Sequence, residues 1–494
     1  MNISSIWQLF MAVALVTPLT ICFAGTNGSG SSSDNMLLLD SLGRVVAVPT
    51  NEVPSELRPA TGSGLDRQIP NPTAGSSMPL ELLQRLCKDT NGFQFFSAMP
   101  PQLMSYLASQ DEYGNTAVRP GALFSFVPLD GPVQDGKYWL SEYGFRYSLQ
   151  QTFTFVSMTG VKKGDGDLDY YTLDLKAKWN LYSAPDSGNA GWISSQIEAK
   201  TGFDSASGTQ SAKSNLGTVT DPTGIWSSIN GFRVPELAWQ QSLRNGEIVV
   251  IAGMVSQRNY IDGNAYADSG RSKFINSALI HSQVMPLAEN NFGLNFQWQP
   301  VDEWYAMVGG SVGGSPAGNT PWTDFNGQNW SMPGEIGFAP RNFFDLGPGV
   351  YRIQPFVAGV EGTTGGGLCF DLQQQLGSQS PLGWFGRFGF GDSKVTGGAA
   401  AQAGSGFVFQ GPFKHLLLQR TSNDLLGVGF VWSEPSSTSQ TVYHENEYVL
   451  EAVYVWQLTP TLKIQPDLQM IWNPAFNPDH DQALVFQLQL VLAW

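Results

Sequence analysis

Along residues 483–494, Leu484, Phe486, Leu488, Leu490, Leu492 and Trp494 share one parity, while Gln487 and Gln489 take the other. A period of two predicts a strand with one apolar and one polar face. The same reading holds for Tyr171, Leu173, Leu175, Ala177, Trp179 and Leu181 against Thr172, Asp174, Lys176, Lys178 and Asn180. It holds again over 292–298, 448–456 and 462–472. From Tyr138 onward such segments recur roughly every 20 residues, the repeat of a transmembrane barrel with ~10-residue strands. Aromatic residues gather near the ends of the apolar faces, where membrane interfaces would lie. The pattern predicts an all-β fold, a transmembrane antiparallel β-barrel of about 16 strands between Gly144 and Trp494. A last strand that ends on an aromatic residue fits that prediction. A soluble sandwich would also alternate, but would collect its aromatics in a central core.

The first part of the chain reads differently. Residues 1–24 resemble an export signal: an apolar run from Leu9 to Phe23 followed by Cys22-Phe23-Ala24, although no Lys or Arg precedes it. Residues 25–34 (GTNGSGSSSD) form a flexible linker by composition. Residues 25–137 are Pro- and Gly-rich and are expected to be a periplasmic extension or partial plug. Short helices are predicted over 79–88 and 101–109, each with Pro near its start. Within 138–494, the short link Thr459-Pro460 predicts a periplasmic turn. The longer links at 183–190, 203–234, 257–290, 314–332, 434–442 and 473–482 predict external loops.

Composition agrees with a membrane barrel. Charged residues are only 14 % of the 494, whereas aromatics reach 12 % and glycines number 55. Few charges without a long apolar run is what one lipid-facing and one inward face per strand requires. Past residue 24 no segment approaches the ~20 apolar residues of a spanning helix. The formal charge of −15 argues against a nucleic-acid partner. It makes neutral or cationic solutes more natural than anions, although net charge says little about the lining of a pore. Past the signal only Cys87 and Cys369 remain, which is one bridge or two spectator thiols, and no disulfide framework.

Several motifs then carry a family likeness. The run 462–474 (LKIQPDLQMIWNP) resembles the L-x-QPDLQ-x-I-x-NP signature of carbohydrate-selective porins of the OprB type, and 447–460 (EYVLEAVYVWQLTP) resembles the hairpin before it. Residues 138–144 (YWLSEYG) are similar to that family's entry segment, and Gly191-Trp192-Ile193 to the strand after its first external loop. Residues 235–241 (PELAWQQ) with 248–255 (IVVIAGMV), Pro348-Gly349-Val350-Tyr351 and 425–430 (LLGVGF) match further pieces in order. The likeness spans about residues 138–494. It implies an outer-membrane channel for sugars with about 16 strands and one loop folded inward as a constriction. Two departures remove cations: Gln487 stands where the family often has Arg, and Gly253-Met254 where it has Gly-Arg.

A channel selects by lumen-facing charges and by whatever narrows the passage. The best constriction candidate is 257–290, carrying Arg258, Tyr260, Asp262, Tyr266, Asp268, Arg271, Lys273 and Phe274. Its charges would bond sugar hydroxyls and its rings would stack on pyranose faces; an ordinary exposed loop is the alternative. On the strands, Asp174, Lys176, Lys178, Glu447, Glu451, Lys463 and Asp467 share the inward parity and are expected to meet lumen water. Enzyme readings are weaker. Gly309-Gly310-Ser311-Val312-Gly313 matches G-x-S-x-G, but the Gly- and Pro-rich stretch after it cannot supply the helix that a nucleophile elbow needs. Glu447 and Glu451 would lie about 13 Å apart on a strand, too far for an acid–base pair. The four histidines show no ligand spacing, so neither metal nor cofactor is expected. The expectation is a passive, carbohydrate-selective outer-membrane porin of a Gram-negative-type bacterium, monomer or trimer, with small sugars and outer-membrane lipid as partners. The alternatives are a porin for other solutes and a secreted β-rich binding or adhesion protein.

Overall fold

The computed structural model describes residues 35–39, 45–49, 133, 136–137, 139–140 and 143–494, the last apart from 185–188, 204–209, 225–230, 268–269, 288–290, 313–327, 378–379, 413–423, 437–439 and 460. The signal over 1–24, the helices expected over 79–88 and 101–109, and Cys87 lie outside the described residues. Strands β1 (Asn35–Leu39) and β2 (Val45–Pro49) form an antiparallel pair, with Leu37 opposite Ala47. Two short apolar runs around a Gly-containing link were its sequence signal.

Sixteen further strands form one closed barrel. They are β3 (Phe145–Met158), β4 (Asp167–Ala184), β5 (Asn189–Gly202), β6 (Gly231–Leu243), β7 (Ile248–Val255), β8 (Asn291–Val301), β9 (Trp304–Val312), β10 (Trp330–Phe338), β11 (Gly349–Val360), β12 (Thr363–Gln375), β13 (Leu382–Gly391), β14 (Ala399–Gln410), β15 (Leu425–Pro435), β16 (Glu447–Gln457), β17 (Leu462–Trp472) and β18 (Gln482–Ala493). Each pairs antiparallel with its sequence neighbour. β18 closes the ring on β3, from Val485 opposite Met158 to Ala493 opposite Gln150. Closure matters because an unpaired strand edge has no water to bond in hydrocarbon.

The alternation sorts the side chains as the parity predicted. On β18 Leu484 and Phe486 are 40 % and 41 % exposed on the outer face, while Gln487 and Gln489 point inward with no exposure. Outward Trp179, Trp239, Trp298, Trp304 and Trp456 lie near one rim of the barrel, forming an aromatic girdle.

Strands alternate in direction, so every even-numbered barrel strand runs to one end, called here the turn end, and every odd-numbered one to the loop end. The 458–461 turn lies at the turn end. β4 and β16 run the same way, so the periplasmic turn expected at 459–460 and the external loop expected at 183–190 fall at one end, and the two expectations do not hold together. The long connections 203–230, 256–290 and 313–329 all belong to the loop end.

Candidate functional site

The connection between β7 and β8, residues 256–290, folds into the barrel. It leaves β7 through a single 3-10 turn, Gln257–Asn259, and reverses at Asp262, whose φ of 69° is left-handed. Further on, helix α2 (Ser277–Ile280) begins where the Asn276 side chain accepts from the Ala278 N–H. Apolar Ile261, Tyr266, Phe274, Ile275, Leu279 and Val284 are almost fully buried along it.

The loop is tied to strands all round the ring. Asp262 N–H donates to Glu335 on β10 (3.1 Å), and the Asn264 amide donates to Asp371 on β12 (3.0 Å). Arg271 Nη1 bonds Asp174 on β4 (2.6 Å), and Ile275 and Asn276 N–H donate to Glu451 on β16 (2.5 and 2.9 Å). Gln283 N–H reaches Gln402 on β14 (2.7 Å). β4 and β12 lie half the ring apart, so the loop crosses the interior from wall to wall.

A second inward segment comes from the β5–β6 connection. Helix α1 (Ala212–Leu216) starts at Ser211, whose hydroxyl accepts from Ser214 N–H. Beyond it, Val219 and Thr220 N–H donate to Glu447 (2.8 and 3.1 Å), and the Ala475 N–H adds a third bond (3.2 Å). The Pro222 carbonyl accepts from Gln469 and Gln487 on β17 and β18 (2.8 and 2.6 Å). Asp221 and Ser277 exchange two hydrogen bonds, both 2.8 Å, and so join the two infolded segments.

Sequence reading missed one network of buried charges. On β11 and β13, Arg352 and Arg387 flank Asp371 at 2.5 and 2.8 Å. Arg387 also reaches Asp262 at 3.5 Å and donates to the Ala267 and Leu279 carbonyls of the loop. Glu335 receives Tyr305 O–H (2.7 Å) and the Gln354 amide (2.8 Å). Burial pushes the Asp262 carboxyl above the usual range, with the Arg387 charge pulling the other way. The available signal was a lone Arg at an inward position within 382–391 (LGWFGRFGFG), a segment with too little polar contrast to read by period alone.

The predicted residues divide into two groups. Asp174, Glu447, Glu451 and Asp467 do point inward, but they are at most 2 % exposed. This corrects the expectation that they meet lumen water: loop N–H groups, Arg271 and wall amides cover them. Asp262 and Tyr266 are buried likewise, with Tyr266 packed against Gly383 of β13, where a Cβ would lie 2.1 Å from its ring. Arg271 is half-buried, reaching Asp174 and, at 3.6 Å, Glu198. Lys176, Lys178, Lys463, Tyr260 and Lys273 are partly exposed, and Arg258 is exposed. Lys178 Nζ stands 4.0 Å over the Trp192 ring. Tyr260 O–H donates to Glu236 (2.8 Å) and accepts from Gln240 (2.6 Å). Asp268 lies outside the described residues. Ser311 sits within β9, with its hydroxyl 3.0 Å from that of Ser331. Cys369 is a buried free thiol 3.3 Å from the Ser282 hydroxyl.

Comparison with known proteins agrees with this architecture. Residues 172–492 match the family model described as carbohydrate-selective porin, OprB family. Porin AaxA of Chlamydia muridarum is 25 % identical over 263 residues, covering 52 % of this chain and 55 % of that protein, so the chain spans about half the length of that relative. Porin AaxA of Chlamydia felis is 25 % identical over 328 residues, covering 64 % and 69 %. The high-pH structure of Pseudomonas putida OprB superposes with a TM-score of 0.61 at 15 % identity, covering 76 % of this chain and 99 % of that one, which is a likeness of fold. With more than half of its length matched by the family model, the chain belongs to the carbohydrate-selective porins of the OprB family.

Proposed function

We propose that this protein is an outer-membrane porin through which small sugars diffuse passively, in the space left between the infolded loop and the barrel wall. The observation that carries the reading is the 256–290 loop, tied to opposite walls of a closed barrel. An arrangement of this kind narrows a pore without needing any bond chemistry.

Buried Gln465 Oε1, both amide atoms of Gln489 and Thr152 Oγ1 face inward without a protein hydrogen-bond partner. Such atoms are costly unless water or a solute satisfies them. In this reading Arg258, Tyr260, Lys273, Lys176, Lys178 and Lys463 border the passage. Asp262, Tyr266, Arg271, Asp174, Glu447, Glu451 and Asp467 hold the loop that shapes it.

The test is solute entry into liposomes carrying the purified protein, comparing mono- and disaccharides with amino acids of similar size. Sugars entering faster, with the rate altered in Arg258→Ala and Lys273→Ala, is the expected result. Entry that follows size alone would make it a general porin. No entry with folded protein would overturn the transport reading.

A further inference from the structure

The inward charges of this barrel are sorted by accessibility. Every inward-facing carboxylate on the described strands is at most 5 % exposed, and each is engaged by the loops or by neighbouring wall residues. Glu447 takes Val219, Thr220 and Ala475; Glu451 takes Ile275 and Asn276; Asp371 takes Arg352 and Arg387. The inward cations divide: Lys200, Arg352 and Arg387 are at most 7 % exposed and paired with carboxylates, and others are open. Arg146 is exposed, and Lys176, Lys178 and Lys463 are partly exposed.

These four cations lie toward one end of the barrel. Arg146 is the second residue of β3 and pairs in register with Lys178, two positions from Lys176 near the end of β4. Lys463 is the second residue of β17. Both β3 and β17 start at the turn end, so the four form a partial collar at that mouth, on the arc from β17 through β18 and β3 to β4. The loop end carries cations too: Lys162, Lys163 and Lys213 line a depression of ≈ 290 Å³.

The chain as a whole carries −15, yet the inward strand charges left open to the interior are cations. Low-dielectric walls focus such a field along a narrow passage.

We infer that the preferred solutes are sugar acids, small carbohydrates bearing a carboxylate, drawn through the passage toward the collar of Arg146, Lys176, Lys178 and Lys463. This rests on the porin reading above and names its substrate class. A hydroxylated anion matches the lining in two ways at once. Its carboxylate is held by the collar. The Trp192 ring beneath Lys178 offers an apolar face for the sugar ring. The inference also reverses what net charge alone suggested about solute sign.

The test uses the full-length protein in liposomes and planar bilayers, with glucuronate, glucose and chloride as probes. At low salt glucuronate is expected to enter faster than glucose by roughly tenfold. That advantage should collapse toward equality near 1 M salt, where the screening length falls to about 3 Å. The wild-type salt titration reads the prediction without any variant. Arg146→Gln combined with Lys178→Gln should bring glucuronate entry down toward that of glucose. Lys394→Gln, on the exposed 392–398 connection, should leave the preference intact. Equal entry of the two sugars, or a cation-selective reversal potential, overturns this inference and leaves the sugar porin standing. Chloride selectivity without a glucuronate preference also overturns it, in favour of a small-anion channel. If neither sugar enters, both readings fall together.

Discussion

Arg387 on β13 sits between Asp371 of the wall and Asp262 of the loop, and its guanidinium also reaches the Ala267 and Leu279 carbonyls. Its value to the fold lies less in attraction than in what its loss would leave behind. Replacing it with Met roughly keeps the volume but leaves buried Asp262 without its cation and Asp371 with Arg352 alone, a loss that costs about 3–5 kcal/mol. Arg387→Met is therefore expected to lower the denaturant midpoint of the refolded barrel and to free the 256–290 loop for proteolysis. An unchanged midpoint would mean that the network is not what docks the loop. Glu447 shows what parity can and cannot convey. Alternation with Tyr448 and Leu450 put it on the inward face, and the structure agrees. What alternation could not convey is that Val219 and Thr220, more than two hundred residues earlier, lie over it and remove it from water. Burial by a distant loop leaves no periodic trace in the strand it covers.

At the scale of elements, strands were legible and the path of the loop was not. A strand repeats its face every second residue, so β16, β17 and β18 could be read one by one. The loop is held by contacts such as Ile275 to Glu451, across 176 positions. Its length and its mixture of aromatic and charged residues marked it as a candidate, and its route depends on the shape of the wall that receives it. Part of that shape is made by glycine. A Cβ on Gly427 of β15 would stand 2.9 Å from the Phe274 ring, and one on Gly429 would press on Leu279 and Phe274. Glycines also thin out the polar–apolar contrast of β13, at Gly383, Gly386, Gly389 and Gly391, and of β14, at Gly404 and Gly406. Gly427→Val is expected to push Phe274 out of its seat while the barrel still closes, since Val suits a strand. Single-channel recording should then show larger, noisier conductance, and a trace identical to wild type would argue against a packed loop. Shortening the loop across 262–282 should enlarge conductance further and abolish discrimination between mono- and disaccharides.

The barrel as a whole places an apolar surface outside and a buried polar network inside, the reverse of a soluble protein. Outward Leu484, Phe486, Leu468, Leu450, Phe430 and Val428 lie on four successive strands and are all more than a third exposed. An exposed apolar band of this breadth would be an aggregation hazard in water and is ordinary in lipid. Adjacent positions on β18 test the difference directly. Phe486 faces out near the middle of the strand, and its neighbour Gln487 faces in, bonded to Pro222 and Asp467. If the outer face contacts hydrocarbon, Phe486→Lys should cost about 2–4 kcal/mol, the penalty for a cation near the bilayer midplane. Phe486→Leu should cost much less, because only packing area changes. In detergent micelles thin enough to let a lysine reach water, the Lys penalty should shrink. Unfolding of both variants in lipid vesicles gives the comparison. A lysine tolerated as well as leucine in the bilayer would mean that this face does not contact lipid, and the secreted, non-membrane reading of the chain would then have to be taken up again.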